Sequence, residues 1–288
     1  MDVKQLLSGS GAVFFDGAMG TLLQEKGLKL GELPELINLK KPEVVLEIHQ
    51  GYLAAGAQII TTNTFGANDL KLKNTGFSVE EVVDAGVSLA RQAANGHQAL
   101  VALDIGPLGE LLEPMGTLKF ETAYQHFKKQ IVQGQKSGVD LIIIETMADL
   151  YEVKAAVLAA KENSNLPVFC TMSFEDNLRT FTGCSIESMV MVLQGLGVAA
   201  LGVNCSLGPQ QLEPVVERLA DPLTHRIRNA VDHGLEPSSA RASAGKDPEG
   251  TIRLSAAHRS GSVIITISDD GGGLDRSRVL AKAVSRGL

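Results

Sequence analysis

The sequence has no long apolar segment and few cysteines, and both features narrow the class of protein. No apolar run reaches the ~18 residues that a membrane helix needs, and the N-terminus lacks a basic-then-apolar leader. We therefore expect neither secretion nor membrane insertion, and a cytoplasmic location. The three cysteines, at positions 170, 184 and 205, show no paired spacing, which predicts buried thiols or ligands rather than a disulfide framework.

Dinucleotide-binding and nucleic-acid-binding proteins are also disfavoured. No G-x-G-x-x-G motif follows a predicted strand, so the fingerprint of a dinucleotide fold is missing. The net charge of −7 disfavours nucleic acid as a partner. With 44% hydrophobic residues, the 288-residue chain is long enough for one barrel-sized core or two smaller ones.

The use of basic residues changes near residue 220. Residues 1–220 contain 13 Lys and 3 Arg, whereas residues 221–288 contain 2 Lys and 8 Arg. Both side chains solvate a surface, so folding gives little reason for such a change within one domain. We interpret it as a junction between two segments, 1–220 and 221–288; chance in a short segment is the alternative.

Short apolar strands that end on polar residues recur six times before this junction, with amphipathic helices between them. The predicted strands are 12–15, 58–65, 100–107, 139–147, 167–174 and 201–205, and the predicted helices between them are 42–55, 79–94, 121–137, 151–163 and 186–196. This pattern predicts an α/β fold, a truncated (β/α)8 barrel with six of its eight repeats. Its edges at the first and sixth strands would be exposed, which predicts low stability and association.

Three side chains with reactive or charged groups stand at predicted strand ends, where a parallel barrel places its chemistry. Asp16 is flanked by glycines that would let a ligand approach, although it could instead cap the next helix. Four aliphatic residues precede Glu145, and a strand buried on both faces rarely ends in an acid without a use for it. Cys205 ends the sixth strand, where a working thiolate would lie.

The other two cysteines and three of the histidines are expected to have structural roles. Cys170 lies inside a strand and is expected to be an ordinary buried thiol, and Cys184 has no base or metal partner nearby. His49, His97 and His126 fall in helical or loop contexts and are expected at the surface.

Four ordered motifs resemble the homocysteine S-methyltransferase family, and within it the N-terminal module of cobalamin-dependent methionine synthase, over about residues 1–220. They are DGAMGT at 16–21, TTNTF at 61–65, ETM at 145–147 and GVNCSLGP at 202–209. The resemblance implies a zinc ion, held by three cysteine thiolates, that activates homocysteine to attack a methyl group. It implies that Cys205 is the first zinc ligand and that Asp16, Glu145 and Asn204 bind homocysteine.

The sequence departs from that family at the metal site. The family's other two zinc ligands lie in a Gly-Gly-Cys-Cys motif on the last barrel strand, and these 288 residues contain no such motif. One cysteine cannot supply three protein ligands, so we expect an incomplete zinc site and impaired transfer. The methyl donor is left open between a cobalamin on a partner domain, a folate-linked donor, a sulfonium and betaine.

The last segment has a different pattern. Residues 221–234 predict an amphipathic helix, and residues 251–258 and 262–268 alternate apolar and polar residues around a short turn, which predicts a β-hairpin. A hairpin is antiparallel, so it cannot replace the two missing parallel repeats.

Asn229 and His233 share one side of the predicted helix, and Asp269, Gly271 and Gly273 follow the second strand. With these residues, segment 221–288 resembles the ATP-binding domain of the chemotaxis histidine kinases, which predicts a partial α+β sandwich. The resemblance implies that Asn229 ligates Mg²⁺ on the triphosphate and that Asp269 binds the adenine amino group, with Gly271 and Gly273 admitting the ring. The second glycine-rich box and the lid over the phosphates would come next, but the sequence stops before them. Three hypotheses follow: a homocysteine methyltransferase, an ATP-binding module, or a fusion of two gene fragments with neither activity intact.

Overall fold

A computed structural model of the chain describes residues 3–8, 12–205, 207–220, 234–259 and 262–273. The chain forms two compact units, Met1–Val216 and Glu217–Leu288. The division falls close to the junction predicted near residue 220. Asn229 and most of the predicted helix 221–234 lie outside the described residues, so the role predicted for Asn229 stays a prediction.

Helices and strands alternate through the first unit. The helices are α1 Val3–Ser8, α2 Met19–Glu25, α3 Ile37–Lys40, α4 Pro42–Ala54, α5 Asp69–Leu72, α6 Val79–Ala94, α7 Phe120–Ser137, α8 Leu150–Asn163, α9 Ile186–Gly195 and α10 Pro209–Ala220, with a 3₁₀ turn at Pro34–Leu36. The strands are β1 Ile59–Thr61, β2 Leu100–Ile105, β3 Leu141–Met147, β4 Val168–Met172 and β5 Ala200–Val203. The division between the units falls within α10.

The five strands form one parallel sheet in the order β1-β2-β3-β4-β5. Helix α6 packs against α4 and α7, and α7 packs against α8, so that successive crossover helices are neighbours. Ile142 of β3 and Phe127 of α7 are fully buried. The predicted α/β fold with a parallel sheet is confirmed, and it is consistent with a partial barrel.

The first of the six predicted strands is wrong as a full strand. Residues 12–15 contribute one parallel bridge, from Phe15 to Ile59, and Gln58 N donates to Phe14 O at 2.8 Å. Phe14 is 62% exposed and Phe15 37% exposed. Because the segment is not buried on both faces, it lacks the packing that supports a longer strand, and the sheet in the described residues has five strands.

One end of the sheet's interior is closed by the N-terminal helix. Val3 and Leu6 of α1 pack in a cluster with Ile59, Leu141 and Phe169 from three different strands. The polar residues at the other end of the strands are therefore the ones left to line an opening.

His49 is buried rather than exposed, so the surface location expected for it is wrong. Its side chain is 0% exposed on α4, beside the buried Val45 and Ile48. Neither ring nitrogen has a hydrogen-bond partner. Helical periodicity alone does not distinguish a buried histidine from an exposed one.

The second unit contains a short helix α11, Ser238–Ser243, and strands β6 Ile252–Arg259 and β7 Ser262–Asp269. The strands pair antiparallel, with Arg259 opposite Ser262, so the predicted hairpin is confirmed. Among the helices that the described residues form, none has the length and apolar character required to span a bilayer.

Candidate functional site at the strand ends

A cavity of about 750 Å³ in the first unit brings together the polar residues at the strand ends. Its inner lining is apolar and includes Ile143 and Phe169. The candidate site residues predicted from the sequence for this segment all line the same cavity; they are Asp16, Glu145, Asn204 and Cys205. The roles assigned to them stay predictions, although the fold places them together.

Asp16 is held by the end of β1. Its Oδ2 accepts a hydrogen bond from Thr61 N at 2.8 Å, and its Oδ1 accepts one from Thr61 Oγ1 at 3.1 Å. Burial raises the pKa of Asp16 to about 7, the bonds from Thr61 lower it in part, and the nearby charge of Glu145 adds to the rise. A positive group entering the cavity would relieve this penalty.

Gly17 has a packing role that the sequence did not indicate. A Cβ atom at this position would lie 2.8 Å from Tyr52 Oη and 2.9 Å from Cε1 of the same ring. Tyr52 Oη donates to Ala18 O at 3.0 Å, which holds the ring against the loop. At Gly20, by contrast, a Cβ atom would have nothing within 4 Å. Glycine at position 17 therefore leaves room for the ring of Tyr52.

Asn204 joins the ends of three strands. Its Oδ1 accepts from Thr146 N at 3.0 Å and from Thr171 Oγ1 at 2.9 Å, and its Nδ2 donates to Thr146 Oγ1 at 2.9 Å. Nδ2 also lies 3.2 Å from Glu145 Oε2. Burial raises the pKa of Glu145. Asn204 thus orients the Glu145 carboxylate.

Backbone strain accompanies these contacts. Thr146 has φ +59° and Cys205 has φ +49°, both in the left-handed region that non-glycine residues rarely adopt. Asn204 lies next to Cys205 and bonds both the backbone and the side chain of Thr146. The strained backbone at Thr146, at the end of β3, is therefore held by the side chain of Asn204, which follows β5.

Cys205 is exposed, and its Sγ lies 3.6 Å from Asn204 Nδ2. Cys170 is buried, as predicted, and burial raises the pKa of its thiol to about 12. Burial also raises the pKa of Cys184 to about 11. No group of three His, Cys, Asp or Glu side chains within the described residues could hold a metal ion. The donor set present therefore does not fit the three-thiolate zinc cage that the resemblance implies.

Two further carboxylates, Glu35 and Asp104, line the cavity and were not predicted as site residues. Burial raises the pKa of Asp104 well above its usual range, with further contributions from Glu145 and Asp16. Asp104 follows buried aliphatic residues in β2, the same signal that identified Glu145, and could have been found by it. Glu35 comes from a 3₁₀ turn, for which no periodic pattern gave a signal.

In the second unit, Asp269 ends β7 and its Oδ1 accepts from Gly271 N at 3.1 Å. A Cβ atom on Gly271 would overlap Gly234 O, at 1.8 Å, so glycine is required there. Gly272 N donates to Gly234 O at 3.0 Å. Gly273 has φ +71°. The glycine-rich segment predicted for nucleotide contact is thus a tight turn beside Gly234.

A buried arginine organises this turn. Arg241 is 1% exposed, and its guanidinium lies 2.9 Å from Asp270 Oδ2 and 3.2 Å from Glu236 Oε2. It also donates to the backbone oxygen of Asp270 at 3.2 Å. Lys246 Nζ donates to Gly271 O at 3.0 Å. These ion pairs fix the residues that follow β7.

The parallel sheet with polar side chains at its carboxyl ends is an α/β fold consistent with a partial barrel, and the candidate site lies at the strand ends, where such folds place it. The model of the homocysteine S-methyltransferase family matches residues 13–258. The chain belongs to that family.

Similar proteins include the methionine synthase of Mycobacterium leprae, 28% identical over 248 residues, which are 80% of this chain and 20% of that protein. The chain thus spans about a fifth of the length of that relative. The metallated homocysteine methyltransferase MmuM of Escherichia coli has a similar fold, with a TM-score of 0.66 and 23% identity over 73% of this chain and 79% of that one.

Part of the chain is also similar to chemotaxis proteins. CheA of Cereibacter sphaeroides is 64% identical over 74 residues, which are 26% of this chain and 11% of that protein. CheA of Rhizobium meliloti is 33% identical over 192 residues, 65% of this chain and 23% of that protein. These matches are consistent with a fused fragment.

Proposed function

We propose that the first unit binds homocysteine in the strand-end cavity, as a methyltransferase module whose transfer step is impaired. The observation that carries this proposal is the convergence of Asp16, Glu145, Asn204 and Cys205 on one cavity, in a chain of the homocysteine S-methyltransferase family. Among the side chains that the structure describes, those lining the cavity include four carboxyl groups and no Lys, Arg or His. An α-ammonium group is the part of an amino acid that such a surface favours.

Asp16 and Glu145 are proposed to hold this ammonium group, with Asn204 keeping Glu145 in place. Each carboxyl has a raised pKa in the unliganded protein, so a bound ammonium would favour its ionised form. We therefore expect binding to release protons and to tighten as the pH rises towards 8. The side chain of homocysteine would then extend towards Cys205.

The zinc chemistry implied by the resemblance does not fit the residues present. Cys205 supplies one thiolate, and Cys170 is enclosed in β4 with a raised pKa. We therefore route no step through zinc and propose that methyl transfer by this chain is slow or absent. The methyl donor stays open between a cobalamin on a partner domain, a folate-linked donor, a sulfonium and betaine.

Calorimetric titration of homocysteine under reducing conditions tests the binding proposal. We expect Asp16→Asn to weaken binding by about tenfold, because a charge-assisted contact is lost. Glu162→Gln is the matched control, since Glu162 lies outside the cavity and accepts only from Tyr124 Oη at 2.6 Å. Absence of binding, or equal affinity in Asp16→Asn and the wild type, would contradict the proposal.

A second candidate function is Mg²⁺-ATP binding by residues 221–288. The tight turn after Asp269, with Gly271 against Gly234, supports it, as does the similarity to CheA. A fluorescent ATP analogue with Mg²⁺ should bind weakly, and Asp269→Asn should weaken it further. Asp247→Asn, which alters an exposed carboxylate outside the turn, is the control. No binding, or the same binding in Asp269→Asn, would exclude this function.

We propose, as the description of the whole chain, a fusion of two gene fragments near residue 220. The change from Lys to Arg and the two sets of relatives support it. Sequencing of the genomic region across codons 215–225 tests this proposal. An interruption of the reading frame there would show that the two fragments belong to separate genes.

A further inference from the structure

Two carboxylates of the cavity have no place in the proposed homocysteine contacts. Glu35 is 3% exposed and Asp104 is 8% exposed, and both line the cavity. Glu35 Oε2 and Asp104 Oδ1 are buried without a hydrogen-bond partner. A buried polar atom without a partner costs free energy, so these two oxygens mark a part of the cavity that lacks a complementary group.

The fold holds both side chains from the protein side. Glu35 Oε1 accepts from Gly66 N at 2.6 Å, which leaves its other oxygen unpaired. Asp104 lies in β2, where its backbone N–H donates to Thr62 Oγ1 at 3.1 Å and its carbonyl accepts from Thr64 Oγ1 at 2.8 Å. The two carboxylates are therefore positioned before any ligand arrives.

The charge of Lys71 acts on both carboxyl groups, but Lys71 does not line the cavity. Lys71 Nζ lies over the ring of Phe65, 5.3 Å from its centroid. Burial lowers the pKa of Lys71, while the charges of Glu35, Glu152 and Asp104 raise it. Lys71 thus acts on both groups through its charge, but it does not bond Glu35 Oε2 or Asp104 Oδ1, which stay without a hydrogen-bond partner.

We propose that Glu35 and Asp104 form a second subsite of the cavity, which takes a small organic cation. The shared chemistry is an ammonium-type centre, either a primary ammonium that donates N–H bonds or a fully alkylated onium. This subsite goes beyond the homocysteine proposal and does not depend on it, because the ammonium of homocysteine is assigned to Asp16 and Glu145.

Three probes of five heavy atoms each test the subsite in the full chain at pH 8: n-butylammonium, tetramethylammonium and uncharged 1-butanol. Calorimetric or NMR titration should show that n-butylammonium binds about tenfold more tightly than 1-butanol. If tetramethylammonium binds as tightly as n-butylammonium, the subsite recognises the positive charge alone. If only n-butylammonium binds, the subsite also accepts N–H hydrogen bonds.

Asp104→Asn and Glu35→Gln should each reduce the preference for the cation to about threefold or less, since each near-isosteric change removes one charge. Glu152→Gln is the matched control: Glu152 is buried and accepts from Leu108 N at 2.8 Å, but it does not line the cavity. It should keep the full preference. Because Asp16 and Glu145 are themselves proposed to hold an ammonium group, the probes and variants are compared in an Asp16→Asn/Glu145→Gln background, which removes that competing site. Circular dichroism of each variant verifies folding, and if one of the two subsite variants does not fold, the other carries the test.

Equal affinity of the Asp16→Asn/Glu145→Gln background for n-butylammonium and 1-butanol would overturn the proposal. A cation preference that survives both Asp104→Asn and Glu35→Gln would also overturn it, because the cation would then bind elsewhere. Homocysteine titrated into the wild-type chain separates the two proposals: a cation preference in the background variant without homocysteine binding by the wild type contradicts only the homocysteine assignment.

Discussion

Replacement of Asn204 by alanine should destabilise the first unit more than the removal of a half-buried amide that makes fewer hydrogen bonds. The amide makes four side-chain hydrogen bonds, to the backbone and hydroxyl of Thr146, to Thr171 and to the Glu145 carboxylate, at 2.9–3.2 Å. Without it, the strained backbone of Thr146 loses its hydrogen-bond partner.

The magnitude follows from the bond count. A neutral hydrogen bond contributes about 0.5–1.5 kcal/mol net, and a bond to a charged group contributes more. Because the Asn204 side chain is half-buried, the lower end of each range applies. We therefore expect Asn204→Ala to lower the free energy of unfolding by about 2–3 kcal/mol.

Urea unfolding followed by circular dichroism measures this loss. Asn163→Ala is the matched control, because Asn163 is also half-buried but makes only two such bonds, at 2.9 Å each, to Tyr124 Oη and Ala159 O. Its loss should be about 1 kcal/mol. If Asn204→Ala costs no more than Asn163→Ala, the proposed role of Asn204 in joining the strand ends is wrong.

Three other substitutions have defined outcomes. Since the pKa of Asp16 is raised to about 7, the folded state retains a proton that the unfolded chain has lost, and stability should fall as the pH rises from about 4 to about 7. Asp16→Asn should make that fall shallower in urea titrations, and an unchanged slope would contradict the assignment. Burial lowers the pKa of His49 to about 4, so the free energy of unfolding should fall as the pH drops from about 6.5 to about 4. His49→Phe should reduce this acid sensitivity, whereas His97→Phe, at an exposed site, should not. Gly17→Ala should lower the midpoint of thermal unfolding, because its methyl group would clash with Tyr52 at a cost of about 1–3 kcal/mol. Gly20→Ala should not, because Gly20 lies in α2 and a Cβ atom there has free space. Equal effects of the two substitutions would refute the packing argument.

Most of the first unit's secondary structure was predictable because its periodic patterns are long. Helix α6 is found at the predicted residues, 79–94, where Ser78 and Glu81 form a capping box. The aliphatic residues of β3 are buried, as a strand of a parallel sheet requires. The first strand was over-predicted because an apolar run such as 12–15 does not reveal whether both of its faces are covered.

The site was predictable only where a strand pattern ended on a polar residue. Asp16 and Glu145 were found in this way, and Asp104 carries the same signal. Glu35 reaches the cavity from a turn between helices, and only the tertiary fold brings it there. His49 shows the converse limit: a polar residue on an apolar helix was assigned to the surface by its type, although its neighbours Val45 and Ile48 are buried.

Zinc quantification in the presence of homocysteine tests the account's central claim most directly. The chain is equilibrated with Zn²⁺ and homocysteine, dialysed against metal-free buffer that contains homocysteine, and analysed for bound metal and bound amino acid. We predict that homocysteine binds reversibly but that zinc is not retained at one ion per chain, because Cys205 lacks two companion thiolates. Retention of one tightly bound zinc per chain would contradict the account.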